Sequence, residues 1–384
     1  MTPFVLRRLL QGVVTLWVVA TLTFVLVRLT PGGPFDGTKP LPDAVRAHLS
    51  RSFGLAVAMP SPVAGILDHF QVRVGQSVSQ GTVLAQLRLS DNSQTLVRAP
   101  RDMTVVQVVG QPGRVLRTGD TLLVHETSWP QQYLATLTSW ATGDLGVTYA
   151  SEGSRTVVEQ LGDAAPVSLE LALLALGLAL LVGVPLGAWT ALRPHSWLDH
   201  VTTASALAIV SMSTLVLAPV LLVVFGVWLQ WLPWGGWEPF AFSWQHLQPK
   251  ILPVVTLALV YAAWFARLTR AGLLDVLGEP WVRAARARGL SERQVVVRHA
   301  LRGALVPVVA FLGPALAGLA AGSVVVERVF AVPGMGDVFV TAALNRDLPL
   351  VLGAVLLYAT GLILANLAVD VACAALDPRL RRAP

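Results

Sequence analysis

Long apolar runs alternate with short charged stretches along most of this chain. A helix needs about 20 consecutive apolar residues to cross a bilayer core. Six runs reach that length: Leu9 to Leu29, Val167 to Leu192, Val201 to Val227, Ile251 to Leu274, Leu305 to Val326 and Leu350 to Ala372. Each predicts a transmembrane helix, and an even number leaves both chain ends on one side. The first run is too long for a signal-peptide core and no small-x-small cleavage site follows it, so it reads as a retained helix. Between the first and second runs the period changes. Over residues 57–126 valines alternate with polar residues and glycines punctuate them, which predicts strands.

That segment repeats internally at a constant offset: Pro62 matches Pro100, Gly75 matches Gly113, Gly81 matches Gly119 and Leu84 matches Leu122. In both copies a five-residue gap separates two glycines, GQSVSQG and GRVLRTG. Glycine there supplies the positive φ of tight turns. Two similar four-strand halves predict a small all-β flattened barrel of pseudo-twofold symmetry.

Composition agrees with a membrane chain. Of the 384 residues 54% are hydrophobic and 13% charged, against about 25% charged in an average soluble chain. Mean hydropathy is +0.64. Such a chain cannot cover a water-facing surface, and it is too apolar for disorder. The single cysteine, Cys373, excludes a disulfide framework or a cysteine zinc site and reads as a small apolar filler. The net charge of +6 is less informative than its placement. Arg7, Arg8, Arg193, Arg267, Arg270, Arg283, Arg286, Arg288, Arg293, Arg298, Arg302, Arg379, Arg381 and Arg382 fall on one side, half of the 28 basic residues in the shorter share of the chain. The positive-inside rule makes that side cytoplasmic, with both termini. The loop of about residues 30–165 then lies outside. So do Trp228, Trp231, Trp234, Trp237 and Trp244, which read as an interfacial belt.

The loop before the fifth run reads as helix, turn, helix. Pro280 suits a helix start. Trp281 to Arg288 contains the small residues Ala284, Ala285 and Ala287, and Gly289 suits the left-handed end of a helix. Ser291 with Gln294 three residues on forms the pattern of a capping box. Small residues on a short helix let another protein's groove approach, and the surrounding arginines suit acidic partner residues.

From Trp281 to Arg379 the sequence resembles the inner-membrane permeases of ATP-binding-cassette importers, in the dipeptide, oligopeptide and nickel branch. The residues that carry this are Arg283-Ala284-Ala285 with Gly289, Ala285 to Leu290, Arg298 to Arg302, Pro307, Glu327 to Phe330, Pro333 to Gly336, Arg346-Asp347 and Asp377 to Arg379. Leu29 to Gly32, Gly143 to Gly146 and Ser168 to Leu171 fit at the other end. In the family the loop motif is Glu-Ala-Ala, three residues, then Gly; here Arg283 replaces the acid, as is common in this branch. The resemblance implies a type I importer permease fold with six transmembrane helices. It makes Arg283, Ala284, Ala285, Arg286, Ala287, Gly289 and Leu290, within a loop of residues 279–303, the coupling helix for an ATPase subunit. It implies a second permease subunit, two ATPase subunits that bind the ATP, and a periplasmic solute-binding protein. Peptides are the expected substrate, with nickel or other small solutes as alternatives.

The strand segment interrupts that pattern. It resembles the biotinyl/lipoyl-type hammerhead domain through Ser61 to Gly65, Val74 to Val78, Gln80-Gly81 and Arg98-Ala99-Pro100. Carrier members have a lysine at the hairpin tip, which corresponds to about Asn92; the only lysines here are Lys39 and Lys250. A carrier role is therefore not expected, and the insert is either decoration or a docking piece. The expected domains are residues 1–56, with the first helix; 57–126, the β insert; and 127–384, the remaining helices.

The sequence offers no Walker A pattern, no His-x-x-x-His or His-Glu-x-x-His spacing and no Gly-x-Ser-x-Gly. No enzyme, metal site, cofactor or nucleic-acid partner is expected; membrane lipid is. Among ionisable residues inside the runs, Glu170 is expected either to bond neighbouring helices or to line the path. Asp370 and Arg28 read as interfacial. Gly183 to Gly187 and Gly313 to Gly318 read as close-packing stretches. The competing reading is an export or envelope-spanning assembly in which the insert docks a periplasmic partner. An ion-coupled transporter is disfavoured by the scarcity of charges within the runs.

Overall fold

A computed structural model describes residues 2–29, 50–51, 53–149, 154–238 and 243–376, excluding the side chains of 2–6, 28, 141, 321–322 and 372–376. The expectations for the Arg28, Lys39 and Cys373 side chains, for Thr30 to Gly32 and for Asp377 to Arg379 lie outside the described residues. Ten helices are labelled in chain order: α1 (Thr2–Leu29), α2 (Trp129–Ala141), α3 (Val157–Leu192), α4 (Trp197–Ser211), α5 (Thr214–Leu221), α6 (Trp244–Leu277), α7 (Pro280–Ala287), α8 (Val306–Val329), α9 (Met335–Leu344) and α10 (Leu348–Leu376). Two compact units result. One comprises Met1–Val25, Glu159–Leu344 and Val351–Pro384, and the other Leu26–Val158 and Asn345–Leu350.

Five helices of the described chain are long and apolar enough to cross a membrane: α1, α3, α6, α8 and α10. The run Val201 to Val227 is not one straight helix, as the apolar count predicts. It is α4 and then α5 with its π-helical continuation Leu222–Trp228, bent by 106°. The break sits at Met212, which is extended, and Ser213, whose hydroxyl accepts the Leu215 N–H at 3.3 Å as an N-cap. Serine competes for backbone donors and so favours helix starts over helix interiors. A hydropathy count measures transfer from water and does not register such a cap. The remaining apolar run is therefore this bent pair. Further differences are local. Helix α3 begins at Val157 rather than Val167 and α6 at Trp244 rather than Ile251, and the short helices α2 and α9 occupy segments read as connections.

The helical core is assembled through absent side chains. Gly183 and Gly187 lie one turn apart on α3 and face α6. A Cβ at Gly183 would sit 2.6 Å from the Ala262 carbonyl oxygen, and one at Gly187 would collide with the Ala266 carbonyl. The two backbones approach too closely for any other residue, the small-xxx-small geometry of membrane helices. Leu171, Ala175, Leu252, Leu257, Leu319 and Phe330 are buried in one adjoining cluster. Helix α1 contacts α10 at Gly12 and Ile363 and through an Arg8–Asp370 ion pair at 3.1 Å, so Asp370 has a protein partner.

The second unit contains eight short strands: β1 (Ala56–Pro60), β2 (Gly65–Phe70), β3 (Ser77–Val78), β4 (Val83–Arg88), β5 (Gln94–Arg98), β6 (Met103–Val108), β7 (Val115–Leu116) and β8 (Thr121–Glu126). They form two antiparallel sheets, ordered β1-β8-β6-β3 and β5-β4-β2-β7. The offset that matches Gly75 to Gly113 turns β1 to β4 into β5 to β8, and the two sheets exchange strands under it. The turn glycines obey the same exchange. Gly75, at φ +82°, donates to the Val105 carbonyl, and Gly113, at φ +91°, donates to that of Leu67. Gly81 and Gly119 donate to Ala99 and Ser61 in the same way. The repeat read from the sequence is thus a repeat of backbone geometry. Helix α2 belongs to this unit: Gln132 Nε2 donates to the Thr127 carbonyl at 2.8 Å.

Candidate functional site: the loop after α6 and the buried polar contacts

The loop folds as its residues predict. Pro280 starts α7, and Gly289 follows it at φ +81°. Ser291 Oγ accepts the Gln294 N–H at 3.4 Å while Gln294 Oε1 accepts the Ser291 N–H at 3.1 Å, the reciprocal capping box. The next helix runs through a π-helical stretch, Val295–Ala300, before it reaches α8.

One face of α7 is fixed. Val282, Ala285 and Val295 are buried together, against Val276 and Leu277 from the end of α6 and Leu290 from the turn. Residues 282 and 285 are three apart, so they share a helix face. Among the residues that the sequence singles out, Ala285 and Leu290 therefore point inward and act as pedestal. Arg283, Ala284, Arg286, Ala287 and Gly289 are exposed, with Trp281 beside them at 44% exposure. Arg286 is engaged within the loop: its Nε and Nη2 donate to Glu292 at 3.1 and 2.6 Å. That guanidinium holds the Glu292 carboxyl below the usual carboxylate range, and Glu292 raises Arg286 in return. Val282, Val295 and Glu292 carry this arrangement, and no family motif pointed to them. An apolar i, i+3 pattern could have found Val282.

Three sequence motifs meet at one buried knot, two of them close together in the chain and the third 159 positions from Glu327. Glu327, fully buried on α8, accepts the Ser168 hydroxyl on Oε1 at 2.7 Å. Its Oε2 accepts the N–H groups of Gly336 at 2.6 Å and Asp337 at 3.3 Å. Ser168 Oγ in turn accepts the Met335 N–H at 2.8 Å. All of these N–H groups belong to the first turn of α9, which has no intrahelical partners for them. Glu327 and Ser168 together supply the cap from other helices. The glycines leave the space: a Cβ on Gly334 would lie 2.5 Å from Glu327 Oε2 and Ser168 Oγ, and one on Gly336 2.5 Å from Val324 Cα.

Two further buried charges are paired. Glu170 on α3 meets Lys250 on α6, which is 2% exposed and also lies 4.7 Å from the Trp237 ring centroid. Trp237 thus differs from Trp228, Trp231, Trp234 and Trp244, whose side chains are largely exposed. Asp199, at the start of α4, accepts Arg270 Nε and Nη2 at 2.6 and 2.8 Å and the His195 N–H at 3.0 Å. Such fork-to-fork pairs fix two helices in angle as well as in distance. Lys250, Asp199 and Arg270 as partners were not legible from spacing, because each pair joins residues at least 70 positions apart.

A family model described as the binding-protein-dependent transport system inner membrane component matches residues 183–382. The oligopeptide transport system permease protein OppB of Salmonella typhimurium is 33% identical over 381 residues, covering 99% of this chain and 100% of the relative. The dipeptide transport system permease protein DppB of Bacillus subtilis is 29% identical over 381 residues, covering 99% and 98%. The methionine ABC transporter MetNI, solved in inward-facing conformations, overlaps at a TM-score of 0.44 and 18% identity, covering 57% of this chain and 97% of that one. The full-length match and the family model agree with the motifs that meet at Glu327 and in the α7 loop: this chain belongs to the family of binding-protein-dependent transport system inner membrane components, as a permease subunit of an ATP-binding-cassette importer.

Proposed function

We propose that this subunit forms half of a translocation path for peptides and that α7 is the helix on which an ATPase subunit docks. The carrying observation is the exposed face of Arg283, Ala284 and Ala287 held on a buried pedestal of Val282, Ala285 and Val295. A short helix anchored in this way transmits a push to α6 and α8 instead of absorbing it. A second permease subunit completes the path, two ATPase subunits bind and hydrolyse ATP, and a periplasmic solute-binding protein delivers the peptide. ATP-driven closure of the ATPases draws the docking helices together and rocks the two bundles between outward-open and inward-open states. Both termini and the α7 loop lie in the cytoplasm and residues of about 30–165 outside, by the arginine bias. Glu170, paired with Lys250, joins α3 to α6 and does not read the substrate.

The insert, taken as residues 57–126 between helical parts at 1–56 and 127–384, is a lipoyl/biotinyl-like flattened barrel without a carrier role. The exchange of strands between the two repeat copies supports the first statement. The β4–β5 hairpin tip, where Asp91 Oδ1 accepts the Ser93 N–H and Asn92 stands at φ +64°, supports the second, since it holds no lysine.

The test is affinity purification from gently solubilised membranes, with and without Gly289→Asp. An ATPase and a second permease should accompany the wild type, and the ATPase should be lost from the variant. A wild-type preparation that retains a second permease but never an ATPase refutes the docking role of α7.

A further inference from the structure

The apolar runs of the sequence hold Asp, Glu, Lys or Arg at only five positions: Arg28, Glu170, Arg267, Arg270 and Asp370. The Arg28 side chain lies outside the described residues. Three of the others are paired: Glu170 with Lys250, Arg270 with Asp199 and Asp370 with Arg8. Among the described residues, Arg267 alone of this set meets no carboxylate and makes no hydrogen bond. Its contact is an aromatic ring: the guanidinium carbon lies 5.2 Å from the Trp264 ring centroid.

Arg267 is exposed on α6, seven residues before Leu274, where the run ends. At 1.5 Å per residue that places it about 10 Å inside the run. With the arginine-rich side cytoplasmic, the inner headgroups lie beyond Leu274. The guanidinium does not reach for them. It stands over Trp264, three residues earlier on α6, and so points toward the middle of the bilayer, as helical side chains lean toward the N-terminus. Trp264 is held in turn by Phe311 of α8, with ring centroids 5.6 Å apart. A snorkelling arginine turns its head toward the nearer water, and this one turns away from it. Lipid chains offer an exposed guanidinium no partner at that depth. The face of α6 that carries Arg267 therefore borders water and an anion rather than acyl chains.

We propose that Arg267 lines the translocation path and binds the C-terminal carboxylate of the peptide in transit. This rests on the reading of the subunit as half of a peptide path. The side chains of peptides vary, but every free peptide ends in a carboxylate. A guanidinium binds that group through two parallel N–H donors. All five N–H donors of Arg267 are unused within the described chain. The Trp264 ring steadies the head by a cation–π contact without taking its charge. Lys250 and Arg270 cannot serve in the same way, because Glu170 and Asp199 already neutralise them.

The complex, purified with its partner subunits and binding protein, is reconstituted in proteoliposomes. ATP-driven uptake of tri-alanine and of tri-alanine amide is measured at concentrations that saturate the binding protein. Arg267→Gln is expected to lower tri-alanine uptake at least fivefold and to change amide uptake less than twofold. Arg267→Lys keeps a cation and should retain a clear preference for the free acid. The second permease and the ATPase should co-purify with both variants in unchanged amounts. An acid-to-amide ratio in Arg267→Gln equal to that of the wild type overturns the proposal, as does Arg267→Lys behaving like Arg267→Gln. Loss of the second permease from Arg267→Gln overturns it in favour of an ion pair between subunits. Full uptake of both peptides by Arg267→Gln overturns it in favour of a contact with lipid phosphate. The peptide-path reading fails in a different way, by a wild-type complex that takes up neither peptide.

Discussion

Ala284 and Ala285 are adjacent in sequence and face opposite ways on α7, so the same substitution at each separates pedestal from docking surface. Ala285 is 3% exposed among Val276, Leu277, Val282, Leu290 and Val295. Leucine there adds three carbons to a filled space. Overpacking of that kind costs about 1–3 kcal/mol. The cost falls on one contact, the seating of α7 on the end of α6. At about 2 kcal/mol the unseated population rises roughly thirtyfold. Ala284 is exposed, and surface substitutions usually change stability by less than about 0.5 kcal/mol. Leucine at 284 should leave α7 seated and obstruct the close approach of a partner groove. Amide hydrogen exchange over residues 281–288 reads the seating, and the amount of co-purifying ATPase reads the docking. Ala285→Leu is expected to raise exchange and to reduce docking secondarily; Ala284→Leu is expected to reduce docking at unchanged exchange. Raised exchange in Ala284→Leu with none in Ala285→Leu would mean that the faces are assigned the wrong way round. Undiminished ATPase with Ala284→Leu would remove the exposed face from the docking surface.

Gly336→Ala should destabilise the bundle by about 1–3 kcal/mol, because its Cβ would lie 2.5 Å from Val324 Cα, a backbone atom that cannot turn aside; thermal unfolding in detergent, with proteolysis at residues 333–344, checks this. Lys250→Met should cost up to about 3 kcal/mol by stranding Glu170, less than the loss of a fully buried pair because the Glu170 side chain is 23% exposed. Adding Glu170→Gln should recover most of that loss, and a double variant no better than the single one would show that the pairing is not the source. The Arg286–Glu292 pair should make the loop mildly acid-sensitive. Glu292 is depressed below 4.5 in the folded chain, so its contribution is complete above that value and is lost as the pH falls through the folded pKa. With both side chains exposed by more than 40%, the effect stays below about 1 kcal/mol, and Glu292→Gln should abolish the pH dependence of exchange over residues 286–294.

The legible parts share a physical character: each depends on residues close together in the chain. Apolar runs locate the membrane helices because transfer from water is summed residue by residue along a helix. Gly289 at positive φ and the Ser291–Gln294 box are readable because turns and caps are closed by neighbours three or four positions apart. The internal repeat of the strand segment is visible for the same reason, since each copy builds its own turns. Motif spacing then sufficed for the family. Which residues on α7 face outward was half legible: the small residues marked the helix, and Ala285 proved to belong to its inner side.

What the tertiary structure alone decided is where distant residues meet. Ser168, Glu327 and the Pro333–Gly336 turn were three separate motifs, and only packing revealed that two of them cap the helix begun by the third. Glu170 had no visible partner until α3 lay against α6 and brought Lys250 to it. Asp199 and Arg270, and Arg8 and Asp370, are likewise unremarkable charges until two helices cross. The bend at Met212 and Ser213 escaped because a cap adds nothing to a hydropathy sum. Local rules act through bonds and turns that the chain order preserves. Pairings between helices depend on which faces close together in space, and no window along the sequence contains both partners.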